Sequence, residues 1–139
     1  MALIPMTPAD LRFGLGSTSS QGTAGETIIP FEFLYLKAGD GKYWKASCVT
    51  LAESAVVDIS LTYAAADQPL AFMVINPGTS YIDSNSPAWT QGLNYVIGDT
   101  AGQLMLASDL TAGQYHTMCA IAASSTSLLL YSDVSGLVA

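Results

Sequence analysis

Apolar residues along this chain come in short runs, mostly at every second position, and the runs are broken by glycine, proline and asparagine. Phe31-Glu32-Phe33-Leu34-Tyr35-Leu36-Lys37 stops at Ala38-Gly39-Asp40-Gly41 and resumes as Lys42-Tyr43-Trp44-Lys45-Ala46, which predicts a hairpin closed by a glycine turn. Val57, Ile59 and Leu61 alternate within 55–63, and Leu70 to Ile75 forms another apolar run that ends at Asn76-Pro77-Gly78. Tyr81-Ile82-Asp83 predicts a short strand before Ser84-Asn85-Ser86-Pro87, and Leu93, Tyr95 and Ile97 mark the next one. No segment keeps a 3.6-residue apolar period over about 12 residues. Ser47 to Glu53 is the only helical candidate, and it reads equally well as a strand.

The last third repeats a short signal. Thr100-Ala101-Gly102-Gln103 recurs as Thr111-Ala112-Gly113-Gln114, the first leading into Leu104-Met105-Leu106-Ala107 and the second into Tyr115 through Ile121, before Ser127-Leu128-Leu129-Leu130-Tyr131 closes the series. Turn signals at roughly 8 to 12 residue spacing predict an all-β fold, a small antiparallel β-sandwich or barrel, jelly-roll-like or β-tulip-like. Residues 1–26 differ from the body at 27–139. Pro5 and Pro8 are followed by a Gly/Ser-rich stretch with a few apolar anchors, Leu3, Ile4, Leu11 and Phe13, and this predicts an extended N-terminal arm that orders on a partner.

Composition adds a prediction about assembly. Of 139 residues 50% are hydrophobic and only 11% charged, too few charges to coat a monomer, so an oligomer is expected. Charge is also unevenly placed. Arg12, Lys37, Lys42 and Lys45 are the only bases, while Glu53, Asp58, Asp67, Asp83, Asp99, Asp109 and Asp133 follow with no base among them, so the net charge of -7 belongs to the chain from residue 46 onward. Such a surface repels a polyanion, and nucleic acid is not an expected partner. No apolar run approaches a membrane span, and Met1 to Met6 lacks the basic start of a signal peptide, so the expectation is a product that stays in the cytoplasm where it is made. Cys48 and Cys119 read as buried free thiols, with a single disulfide as the alternative.

Reactive chemistry is sparse. His116 is the only histidine, Asp109 lies a hairpin away, and Ser124-Ser125 lacks the glycines of a nucleophile elbow. The cysteines and acids have neither zinc nor calcium-loop spacing, and Asp99 and Asp109 read as turn residues. No catalytic, cofactor or metal residue is therefore assigned, and the chain reads as no enzyme. Among the aromatics, Trp44 is expected to be half-buried in its hairpin. Trp89, in a loop after Pro87, is the candidate for an exposed contact, such as a sugar-stacking surface shared with Tyr81 or Tyr95.

Taken together, Asp40-Gly41-Lys42-Tyr43-Trp44-Lys45-Ala46-Ser47, the Ala/Val-rich middle, Gly92-Leu93-Asn94-Tyr95-Val96 with Thr100-Ala101-Gly102, and Thr111-Ala112-Gly113 leading through Ala120-Ile121-Ala122 to Ser125-Thr126-Ser127-Leu128-Leu129-Leu130 form a layout. It resembles that of the capsid decoration, or cement, proteins of tailed bacteriophages and the related β-modules of phage fibres. The resemblance covers roughly residues 31 to 131 and departs at Ala120, where the family often has glycine. It implies a virion structural protein that forms a homotrimer on the outer capsid surface, with the major capsid protein as its partner, and that passes through the host cytoplasm during assembly. The N-terminal arm, with Leu3, Ile4, Leu11 and Phe13 as anchors, is then the expected capsid-binding element. The alternative is a head- or tail-fibre module that binds a host glycan through Trp89.

Overall fold

The computed structural model describes residues 11–13, 18–75, 81–84 and 89–137, and the protein is nearly all β. Its strands are β1 (Leu11–Phe13), β2 (Thr18–Thr23), β3 (Phe33–Leu36), β4 (Tyr43–Lys45), β5 (Asp58–Ser60), β6 (Pro69–Val74), β7 (Tyr81–Ser84), β8 (Asn94–Ile97), β9 (Leu104–Leu106), β10 (Tyr115–Ser124) and β11 (Ser127–Leu137). A single helical turn, α1 (Leu51–Ser54), and a 3-10 turn at Ala107–Asp109 complete the described elements. One sheet has the order β1-β7-β11-β10-β8-β9 and the other β2-β6-β5-β3-β4. Every strand pair is antiparallel.

The main core fills the space between the sheets. Phe33, Tyr35, Ile59 and Met73 from the second sheet meet Ile82, Tyr95, Ile97, Leu104, Met105, Leu128 and Leu130 from the first. A side chain of this size stabilises the fold by about 1.5–3 kcal/mol when fully buried. A smaller core lies on the opposite face of the second sheet, where Leu34, Leu70 and Phe72 pack with Ala24, Ile28 and Ala64. Strand alternation divides these residues: Phe33 and Tyr35 face the main core, and Leu34 between them faces the small one.

The second face is covered by the chain's own connections. Ile28 and Ala64 exchange backbone hydrogen bonds of 2.8 and 3.0 Å, and Asp67 N donates to Ala24 O at 2.7 Å. Ala24 also forms a parallel bridge to Tyr43, and Gly25 N donates to Tyr43 O at 2.8 Å, so the chain leaving β2 reaches across to β4. The two edges of the second sheet are thereby tied, and the sheet curls. Close approach at this seam requires glycine: a Cβ on Gly25 would lie 2.2 Å from the Trp44 ring, and one on Gly22 would lie 2.5 Å from Tyr43.

Two features of the fold differ from the sequence reading. Parts of the segment read as an arm are strands of the sheets: β1 pairs with β7, and β2 pairs with β6 from Thr18↔Val74 to Thr23↔Pro69. Ser19, Ser20 and Gln21 are exposed, so backbone pairing alone recruits this polar stretch to an outer strand, without the apolar alternation that announces a strand in sequence. The region 47–53, left open between helix and strand, holds α1, whose N-terminus is capped by Thr50 Oγ1 accepting from Glu53 N at 3.2 Å. Elsewhere the predicted hairpins are present. The repeated Thr-Ala-Gly-Gln turns share one geometry, with Gly102 at φ +84 and Gly113 at φ +90. A third Thr-x-Gly turn at Thr90 to Leu93 matches them, with Gly92 at φ +84 and Leu93 N donating to Thr90 O at 3.1 Å.

Candidate functional site

The basic residues of the β3–β4 hairpin are occupied locally. Lys42 Nζ is ion-paired with Asp67, and Lys45 Nζ lies 3.8 Å from Glu26. Lys37 Nζ stands 4.7 Å from the centroid of the Trp44 ring, whose Nε1 donates to Asp40 Oδ2 at 3.2 Å. The backbone N–H of Lys42, followed by the Trp44 indole and the nearby lysines, holds the Asp40 carboxyl below its ordinary range. Trp44 is partly buried, as its hairpin position predicts.

Trp89 is not an exposed contact. It is only 4% exposed, because its ring packs edge-on against Tyr95 with centroids 5.8 Å apart inside the main core. Tyr95 in turn accepts a 2.8 Å hydrogen bond from Thr90 N through its hydroxyl, which holds the backbone next to Trp89 against the same ring. A sugar-stacking surface cannot be built on a ring in that position. Leu11 and Phe13 are placed in β1, opposite Ser84 and Ile82, while Leu3 and Ile4 lie outside the described residues.

His116 Nδ1, Asp109 Oδ2 and Trp89 Nε1 are each buried without a hydrogen-bond partner. A pocket of about 240 Å³ is lined by Gly92, Leu93, Asn94, Leu106, Ala107 and Ser108, with no ionisable side chain in its wall. Among the described residues no three His, Cys, Asp or Glu side chains are grouped as a metal ion requires, and no helix is long and apolar enough to cross a membrane. Cys48 and Cys119 are free and buried, and burial pushes both thiols above their ordinary range. Thiols held protonated in this way are poor nucleophiles.

Two buried acids went unmarked in the sequence. Glu32 closes the turn at Ile29-Pro30-Phe31: its Oε1 accepts from Ile29 N at 2.8 Å, its own N–H donates to Ser60 Oγ at 2.9 Å, and Phe31 is held at φ +65. Burial raises the Glu32 carboxyl, the Ile29 N–H and Lys45 lower it, and Glu26 raises it further. Asp58 is 4% exposed and lies opposite Leu34 and Val74, facing the small core. Burial pushes its carboxyl up to about 7.

What the surface does offer is an apolar ridge. Of eight large hydrophobic residues exposed in the described structure, Val49 (56%), Leu51 (55%), Val57 (39%) and Val134 (42%) belong to one neighbourhood. Ala52 and Ala55 are exposed between the first three. Hydrogen bonds pin this segment to the two longest described strands: Thr117 Oγ1 donates to Ser54 O at 2.6 Å, Ser132 Oγ donates to Val56 O, and Val134 is the β-partner of Thr117. Glu53 is the only charged side chain between residues 46 and 57, and its Oε2 accepts from the Ser47 hydroxyl at 2.7 Å. The sequence signal was present as Val49-Thr50-Leu51-Ala52, but a strand or buried helix accounts for that run equally well. In comparisons with known protein families, curated proteins and solved structures, nothing matches this chain.

Proposed function

We propose that this chain is a non-enzymatic virion structural protein that binds the outer surface of a phage capsid as a homotrimer and stabilises the head, a cement or decoration protein. The observation that carries the reading is the division of its surface. A rigid apolar ridge stands beside a body whose acids have few bases to pair with, while the polar groups of the interior are largely spent on turns and on joining the sheets. Such a molecule offers shape and contact area.

The mechanism is mechanical. Pressure from packaged DNA loads the joints between capsid subunits, and a trimer touching several joints at once gains avidity from contacts that are weak singly. Net charge of -7 keeps the protein off the packaged polyanion and suits the exterior. The major capsid protein is the partner, and the N-terminal residues before β1 supply the strand or anchor that orders on it.

The test mixes expanded, undecorated heads with the full chain and with a chain lacking residues 1–10, a truncation that leaves β1 in place. The full chain is expected to pellet with the heads and the truncated one to remain in solution. Equal occupancy by both rejects the arm as anchor, and failure of the full chain to bind rejects the cement reading. The alternative of a fibre module holding a host glycan loses Trp89 as its platform. Its remaining candidate is Trp44, which is flanked by Lys37 and Asp40, and glycan binding abolished by Trp44→Ala would favour it.

A further inference from the structure

We propose that Asp58 is the catch of a latch in the second sheet: protonated, it lets the chain's own connections lie closed over the small core, and ionised, it loosens them. The inference goes beyond the reading above and stands whether or not the chain binds heads.

Asp58 comes from β5, which pairs with β3 on one side and β6 on the other. Its neighbour Ile59 enters the main core, so strand alternation turns Asp58 to the face where Leu34, Leu70 and Phe72 pack. Asp58 is 4% exposed there, and burial alone sets its carboxyl, with no hydrogen bond or cation among the described residues to offset the loss of water. An ionised carboxylate is costly in such a place, so the closed form keeps the proton.

The other titratable groups on this side do not change that balance. Tyr43 of β4 faces Asp58: burial first, and the Asp58 charge second, raise its phenol. Lys45 of β4 lies beyond Leu34 in the pairing order and stands 3.8 Å from Glu26. Glu32, ahead of β3, accepts from Ile29 N, and Asp67, in the connection between β5 and β6, is paired with Lys42. β2 and β6 carry no ionisable side chain.

The connections are the part of this enclosure that yields most easily. β5 is fixed by ladders on both edges and by the main core beneath it, whereas the cover places only Ala24, Ile28 and Ala64 in the small core. Its backbone bonds are few: Ile28 and Ala64 exchange two, Asp67 N donates to Ala24 O, Ala24 N to Gln68 O at 3.0 Å, and Gly25 N to Tyr43 O. Lifting the cover admits water to Asp58 while both sheets keep their ladders. The carboxyl then passes from about 7 when closed to an ordinary 3.8 when wetted, so closure is favoured in acid and lost as the pH rises through 7. Between about pH 5 and pH 7 the opening equilibrium rises roughly fiftyfold.

The experiment is amide hydrogen exchange followed by NMR on the full chain and on Asp58→Asn, from about pH 5 to about pH 7, with rates corrected for base catalysis. In the wild type the protection of the Gly25, Ile28, Ala64 and Asp67 amides is expected to fall roughly fiftyfold across that range. These amides should exchange faster than those of β5 and β6 and respond little to urea, and in Asp58→Asn their protection should stay level. Cover and strand amides that exchange together, with the full urea dependence, overturn the latch, because Asp58 is then wetted only by global unfolding. So does wild-type protection that is flat with pH, or a fall of equal size in Asp58→Asn. Asparagine is close in shape to the protonated acid. If that variant does not fold, Asp58→Leu, also uncharged, takes its place with the same outcomes.

Discussion

Replacing Asp58 by asparagine should change how stability depends on pH. Asp58 lies in β5 at 4% exposure, between Leu34 and Val74, with its carboxyl raised from an ordinary 3.8 to about 7 by burial. Between those values the native chain keeps a proton that the unfolded chain has shed, so raising the pH removes stability. The contribution is fully present below about pH 4 and lost by about pH 8; a shift of roughly three units corresponds to about 4 kcal/mol. For a domain of this size that is on the order of 10–15 °C in Tm. The assay is thermal melting of both proteins in steps from pH 4 to pH 8. General repulsion among the acids and the raised carboxyl of Glu32 act on both chains alike, so the difference between the two curves isolates Asp58. An asparagine side chain cannot ionise, so Asp58→Asn should gain on the wild type by that amount as the pH rises. Parallel curves would refute the argument that this carboxyl sits in an apolar site.

Gly25→Ala puts a Cβ 2.2 Å from the Trp44 ring and should destabilise by about 1–3 kcal/mol in urea melts, opening the seam between β2 and β4; an unchanged midpoint would mean that the curl is loose. Thr117→Val leaves the Ser54 carbonyl without the hydroxyl that now reaches it at 2.6 Å and should cost about 1–3 kcal/mol, with faster hydrogen exchange across residues 51–57 as a second readout. Cys48 and Cys119, buried and held protonated, should resist a thiol reagent in the native protein and react together on unfolding; rapid native labelling of either contradicts their placement.

Much of the fold was legible because the strands of the main core carry their own alternation. The hairpin of Phe31 to Ala46 and the Thr-Ala-Gly-Gln turns could be read directly, since a glycine at positive φ leaves a mark in sequence. What escaped has physical causes. Alternation at Val57, Ile59 and Leu61 assigns Asp58 to the outside, yet the second sheet curls and buries both faces, so an outward residue becomes an interior one. β2 escaped because an outer strand held by backbone bonds needs no apolar side chains. Trp89 was misplaced because a loop position predicts exposure, whereas its partner Tyr95 is contributed by a strand and draws it inward. The ridge could not be told from a core segment until its neighbours in β10 and β11 were seen.

The central claim is that this protein acts by contact, bracing other subunits, and cryo-electron microscopy of expanded phage heads incubated with the purified chain tests it most directly. The account predicts added density on the outer shell at three-fold positions. Bare heads, with the protein left in solution at saturating concentration, would contradict it.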